Sequence, residues 1–210
     1  WDGSPIPTQT LLIHTEQGAG DAIQFVRYLP LAAQRCGSLL VLCPAPLMPL
    51  LATVPGVAQL RDAGTLRVAE FDTYLPLLSL PRVWGTTRAT IPATVPYFDV
   101  AALRRRKDAP ARLSLAASGH LKVGLVWAGS PTYAHDRQRS CALQDFAPVL
   151  QSPGITWYSL QTGARRQELA QGLPDVDVQD LAPCLHDFGD TALLIDQLDL
   201  VITVDTAVAH

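Results

Sequence analysis

Residues 11–21 read Leu-Leu-Ile-His-Thr-Glu-Gln-Gly-Ala-Gly-Asp, an apolar run that gives way to a glycine-bearing loop and then to a helix-forming segment. The run has the length of a buried strand, and Ile23, Val26, Leu29 and Ala33 recur beyond it at helical spacing. Pro30 should kink or shorten that helix, because it lacks a backbone donor. Further apolar strands are expected at 39–43 and 71–75, with a short helix around 46–54 and a Pro55-Gly56 break between them. Strands alternating with helices imply parallel βαβ units.

The same order then starts again. Residues 122–128 (Lys-Val-Gly-Leu-Val-Trp-Ala) read as a strand, Gly129-Ser130-Pro131 as a turn, and 132–140 as a polar loop. Leu143, Phe146 and Leu150 suggest a helix, 155–160 a strand, and Gly163 opens a charged helix through Ala170. A helix over 187–198 opens on a capping carboxylate, and a strand over 200–204 runs into Asp205. Between the halves lie a proline-punctuated stretch at 91–98, the basic run Arg104-Arg105-Arg106-Lys107 and a small, polar linker at 109–120. The basic run reads as a solvated helix end in preference to a phosphate-seeking patch. The expected fold is α/β, two Rossmann-like domains with parallel sheets at 1–115 and 116–210, the second incomplete.

Composition agrees. The chain has 210 residues, 48% of them hydrophobic and 17% charged, with a formal net charge of −3. Such a chain can build a core, which excludes disorder, coiled coil and collagen, and it lacks the basic excess of a nucleic-acid binder. At ~150 residues per domain the length is an awkward one and a half domains, so a piece of a longer protein is expected. Residues 36–60 carry no charge, but Pro44, Pro46, Pro49 and Pro55 interrupt them and argue against a membrane span. No basic-then-apolar leader is visible. Cys36, Cys43, Cys141 and Cys184 have no paired spacing and read as reduced core thiols of a cytoplasmic protein.

Three places at strand ends carry candidate chemistry. Gly18, Gly20 and Asp21 lie between a strand and a helix, where glycines admit close ligand approach and free N–H groups favour anions. Asp21 is either a helix cap or a carboxylate facing the crevice where ligands of such sheets bind. Gly129 and Ser130, followed by His135, Asp136, Arg137 and Arg139, are either a phosphate-holding loop or a solvated surface loop. Asp205, Thr206 and His210 repeat the arrangement at a third strand end. The fingerprint G-x-G-x-x-G fails at Ile23, which argues against a dinucleotide-dependent oxidoreductase, and no P-loop, zinc motif or acyl-transfer elbow is present. The five histidines are scattered without metal-ligand spacing, and Asp175-Val176-Asp177 reads as a solvated edge strand.

Taken in order, Trp-Asp-Gly-Ser at 1–4, Leu-Leu-Ile-His-Thr-Glu-Gln-Gly-Ala-Gly-Asp-Ala-Ile-Gln-Phe-Val-Arg-Tyr at 11–28, Leu-Ser-Leu-Pro at 78–81, Ile-Pro-Ala-Thr-Val-Pro-Tyr at 91–97, Lys-Val-Gly-Leu-Val-Trp-Ala-Gly-Ser-Pro at 122–131, Asp-Arg-Gln-Arg-Ser at 136–140, Tyr-Ser-Leu-Gln at 158–161 and Asp-Leu-Val-Ile-Thr-Val-Asp-Thr-Ala-Val-Ala-His at 199–210 carry a resemblance. The chain resembles the glycosyltransferase module at the C-terminus of bacterial tetratricopeptide-repeat proteins, itself similar to the family-9, heptosyltransferase-like transferases of the GT-B fold. The resemblance implies an acceptor-side first domain, a nucleotide-sugar-side second domain and metal-independent, inverting transfer to an acceptor hydroxyl. Asp21 matches the family's catalytic carboxylate, and Arg139, or failing that Arg137, its donor-phosphate contact. Asp205, Thr206 and His210 match its diphosphate-binding element, with Ala207 where many heptosyltransferases have Gly.

No cofactor is implied beyond the nucleoside-diphosphate sugar donor. The acceptor class (glycan, lipid or protein) stays open, and protein partners would come through adjacent repeats. Further implied are donor-pocket residues beyond His210, so that residues 1–210 alone are expected to be inactive, with the edge at 200–204 uncovered or covered by a neighbouring molecule. The alternative is a non-catalytic, transferase-like scaffold module attached to the repeats.

Overall fold

Strand β1 (Ile6–His14) lies at the middle of a four-stranded parallel sheet in the order β3-β2-β1-β4, with β2 at Cys36–Leu42, β3 at Gln59–Arg61 and β4 at Thr73–Pro76. The computed structural model describes residues 1–106, 115, 119–171 and 176–210. The chain forms two compact units, Trp1–Arg106 and Lys107–His210. The second repeats the first: β5 (Leu121–Val126), β6 (Ile155–Ser159), β7 (Val178–Asp180) and β8 (Leu200–Thr203) form a parallel sheet in the order β7-β6-β5-β8. Most of the expected linker, Lys107 of the basic run and Asp175 lie outside the described residues.

In the first unit α1 (Ala19–Phe25), α2 (Leu29–Ala33), α3 (Met48–Leu51), α4 (Leu80–Val83) and α5 (Val100–Arg104) follow in chain order. Leu11, Leu12 and Ile13 are all buried, as are Leu39, Leu40 and Val41. Unbroken apolar runs belong to strands covered on both faces, the signature of a parallel sheet between helices. Each such side chain contributes about 1.5–3 kcal/mol by leaving water. The expected long helix is divided: a 3-10 turn at Val26–Tyr28 separates α1 from α2, and Pro30 sits in the first turn of α2, where a missing N–H is harmless. β1 begins earlier than its apolar run, and β3 escapes a sequence reading because Gln59 and Arg61 flank a single Leu60; pairing with Leu40–Leu42 of β2 makes it a strand.

In the second unit α6 (Ala147–Leu150), α7 (Glu168–Gln171) and α8 (Phe188–Ile195) complete the pattern. Its core gathers Val123, Leu125 and Trp127 with Leu143, Leu150 and Trp157. Asp187 caps α8 by accepting from the Asp190 amide at 2.9 Å, as its position before an apolar run requires. The cysteines are unpaired, but only Cys43 is buried; Cys36, Cys141 and Cys184 are partly exposed and so are not core thiols. No helix among the described residues is long and apolar enough to cross a membrane.

In both sheets the chain winds outward from the first strand and then crosses to its other side. The point where strand order reverses therefore lies between β1 and β4 in one unit and between β5 and β8 in the other. Open parallel sheets bind ligands at the carboxyl ends of the strands at such a point.

Candidate functional site

At the first switch point β1 ends at His14 and α1 begins at Ala19, with Gly18 as the N-cap and no side chain capping the helix. Asp21 is the third residue of α1 and does not act as its cap, in contrast to one of the two sequence readings. Its carboxylate leans back over the helix start, so that a Cβ on Gly18 would sit 3.4 Å from Asp21 Oδ2. Among the described residues no hydrogen bond or ion pair engages that carboxylate, which is partly exposed. Gly20 lies within the first turn of the helix.

Sequence reasoning missed the group that holds this loop. Glu16 accepts hydrogen bonds from the amides of Leu77 (3.1 Å) and Leu78 (3.2 Å), the first residues of the 3-10 turn that follows β4. One carboxylate thus fastens the exit of β1 to the exit of β4 and satisfies two donors a helix start leaves free. From the 3-10 turn after α1, Arg27 stacks over the Tyr97 ring at 4.9 Å and donates to the Pro92 carbonyl at 3.3 Å. That pair folds the proline-punctuated stretch against the helix.

At the second switch point the loop after β5 is fixed from three directions. Gln161, 3% exposed, accepts from the amides of Trp127 (3.1 Å) and Ala128 (2.9 Å) and donates to the carbonyls of Ala128 and Thr162. The Gly129 amide donates to Ser140 Oγ at 2.9 Å, and Ser140 Oγ donates to Asp136 Oδ1 at 2.9 Å. Arg139 donates from Nε to Asp136 Oδ1 at 3.2 Å and from Nη1 to the Asp205 carbonyl at 2.8 Å, and its guanidinium lies over the Tyr133 ring.

The structure therefore brings Gly129, Arg139, Asp205 and Thr206 together, while Gly18, Gly20 and Asp21 belong to the other unit. Ser130 is exposed and exchanges a 2.8 Å hydrogen bond with Thr132. Arg137 is exposed and has no partner among the described residues. The Asp205 carboxylate is exposed; Thr206 caps the short Ala207–Ala209 turn by accepting from the Val208 amide at 3.3 Å and meets Thr203 Oγ1 at 3.0 Å. His210 closes that turn, exposed. The amides of 127–129, candidates for cradling an anion, are all satisfied internally, which leaves side chains to meet a ligand there. Gln161 closes the Tyr-Ser-Leu-Gln stretch at 158–161 that shares in the resemblance, but its role as anchor of the loop after β5 was missed. Among the described residues no group of three or more His, Cys, Asp or Glu is placed to hold a metal ion.

Two units of parallel α/β structure with the order 3-2-1-4, each with polar side chains at its switch point, define an α/β, GT-B-like fold. No protein-family model matches the chain. In sequence it is 27% identical over 227 residues to Protein FlbA of Caulobacter vibrioides, an alignment taking in 99% of this chain but only 38% of FlbA. Among solved structures it is similar to the ADP-heptose lps heptosyltransferase II of E. coli, with a TM-score of 0.56 and 15% identity over 96% of this chain and 80% of that one. It is also similar to TibC, an iron-containing dodecameric glycosyltransferase of enterotoxigenic E. coli H10407, at 14% identity and a TM-score of 0.56 over 95% of this chain and 54% of TibC. TibC in complex with ADP-D-beta-D-heptose gives a TM-score of 0.59 at 13% identity, over 97% of this chain and 55% of TibC. At such identities the likeness shows the fold alone.

Proposed function

We propose that this chain is part of a glycosyltransferase that moves a sugar from a nucleoside-diphosphate donor to an acceptor hydroxyl, with inversion and without a metal. The observation that carries this reading is the Asp21 carboxylate, unengaged at the carboxyl end of β1 and at the switch point of its sheet. A carboxylate with no hydrogen-bond or ion-pair partner is free to act as a base toward an acceptor hydroxyl. In the proposed step Asp21 takes the acceptor hydroxyl proton as that oxygen bonds the anomeric carbon. The bond from that carbon to the diphosphate breaks on the opposite face, and its electron pair leaves with the phosphate oxygen.

The leaving diphosphate needs its charge stabilised. Arg137, Ser130 and the Thr206 turn supply a cation and hydroxyls at the second switch point, where Arg139 is held by Asp136 and the Asp205 carbonyl. Asp205, an acceptor only, suits a ligand hydroxyl better than a phosphate. The heptosyltransferase likeness and the donor carried by TibC support a nucleotide-sugar ligand. Titration of the complete protein that contains this chain with ADP, UDP and GDP tests the reading. One of them is expected to raise the melting temperature and bind stoichiometrically; no response to any of the three overturns donor binding and favours a non-catalytic scaffold.

A further inference from the structure

The cation that the sequence singles out first for the ligand, Arg139, is the more committed of the two arginines in its loop. Its Nε is bound to Asp136, its Nη1 to the Asp205 carbonyl, and one face is covered by Tyr133 at 4.6 Å. The other contact is with Gly129. A Cβ there would lie 2.5 Å from Arg139 Nη2 and 2.8 Å from Cζ and Nε, closer than real side-chain atoms approach. Gly129 is not among the glycines of positive φ, so the backbone does not demand glycine at this position. The space does. The Gly129 amide, Ser140 hydroxyl, Asp136 carboxylate and Arg139 guanidinium then form one chain of hydrogen bonds that ends on the turn after β8.

We propose that Arg139 is a positioning residue, seated on Gly129, that locks the loop after β5 to the Asp205–Thr206 turn, and that Arg137 is the cation left to meet an anionic ligand. The inference rests on the reading that this end of the second sheet takes a diphosphate. Arg139 has its charge compensated by Asp136 and its side chain 23% exposed, so little of it remains to offer a phosphate. Arg137, two residues earlier, is exposed and has no partner among the described residues. The lock requires a planar fork: one nitrogen serves the carboxylate and another the carbonyl, with the plane flat against glycine. A lysine keeps the charge but is a point donor and cannot make both bonds in that plane.

Amide hydrogen exchange on the full chain tests the lock without any ligand. In Gly129→Ala and in Arg139→Lys, exchange over 203–209 is expected to rise about fivefold, the effect of one lost hydrogen bond, while β6 exchanges as in the parent. In Arg137→Ala, exchange over 203–209 should not change. Unchanged exchange over 203–209 in Arg139→Lys overturns the proposal, and that variant decides the matter if Gly129→Ala fails to fold. Titration with ADP separates this inference from the functional reading. If the parent binds, Arg137→Ala should weaken it about tenfold and flatten its salt dependence, and parent-like binding by Arg137→Ala overturns the role given to Arg137. If the parent binds none of ADP, UDP and GDP, the donor reading falls and the role of Arg137 with it, while exchange still decides the lock.

Discussion

Glu16 and Leu77 stand 61 positions apart in the chain and 3.1 Å apart in space, carboxylate oxygen to amide nitrogen, and with Leu78 they close the switch point of the first sheet. The bond lies between the loop that presents Asp21 and the turn that follows β4. Removing the carboxylate leaves two amides of a turn without acceptors. Glu16→Ala is expected to cost about 1–2 kcal/mol, and Glu16→Gln less because one oxygen remains. Urea unfolding measures both, and faster amide exchange at 77–78 in Glu16→Ala would locate the loss.

Gln161 makes a stronger case, because it is buried and serves both the amides and the carbonyl of the loop after β5. Gln161→Leu keeps the volume and removes every polar contact. Two amides then lose their acceptor in a dry place, at about 1–3 kcal/mol each. A fall in unfolding free energy of about 2–5 kcal/mol is expected, with the urea slope unchanged.

Cys43 gives the chain a pH dependence away from the site. Burial first, and the Asp62 carboxylate second, push its thiol from the ordinary 9.0 up to about 11. The folded state therefore keeps a proton that the unfolded chain has lost. This contribution is present below pH 9 and is lost as pH rises through about 11. Urea midpoints taken at about pH 8 and about pH 10 should fall less in Cys43→Ala than in the parent. Because the thiolate is the reactive form, Cys43 should also be the last of the four cysteines to alkylate in the folded chain.

The fold was legible in the sequence wherever apolar runs were long. Leu11-Leu12-Ile13 and Leu39-Leu40-Val41 are buried on both faces and announce themselves, as does the Asp187 cap of α8. β3 was not legible, since a three-residue strand with one apolar side chain exists only through its neighbour. At the site, Asp21, Arg139 and Asp205 could be found as polar residues just beyond apolar strands. What Glu16, Arg139 and Gln161 do is set by partners distant in sequence: Leu77, Asp205 and Trp127. Gly129 illustrates the same limit. A glycine beside a strand end reads as room for a ligand, and here that room holds a guanidinium.

The central claim is that Asp21 takes a proton from an acceptor during sugar transfer. Asparagine at this position preserves the shape and the helix start while removing the base. Turnover of a nucleotide-sugar donor by the complete protein that contains this chain, measured beside that of Asp21→Asn, tests it most directly. The account predicts a loss of about 10²–10⁴-fold in kcat with donor binding and melting temperature unchanged. Asp21→Asn turning over at the parent rate would contradict it.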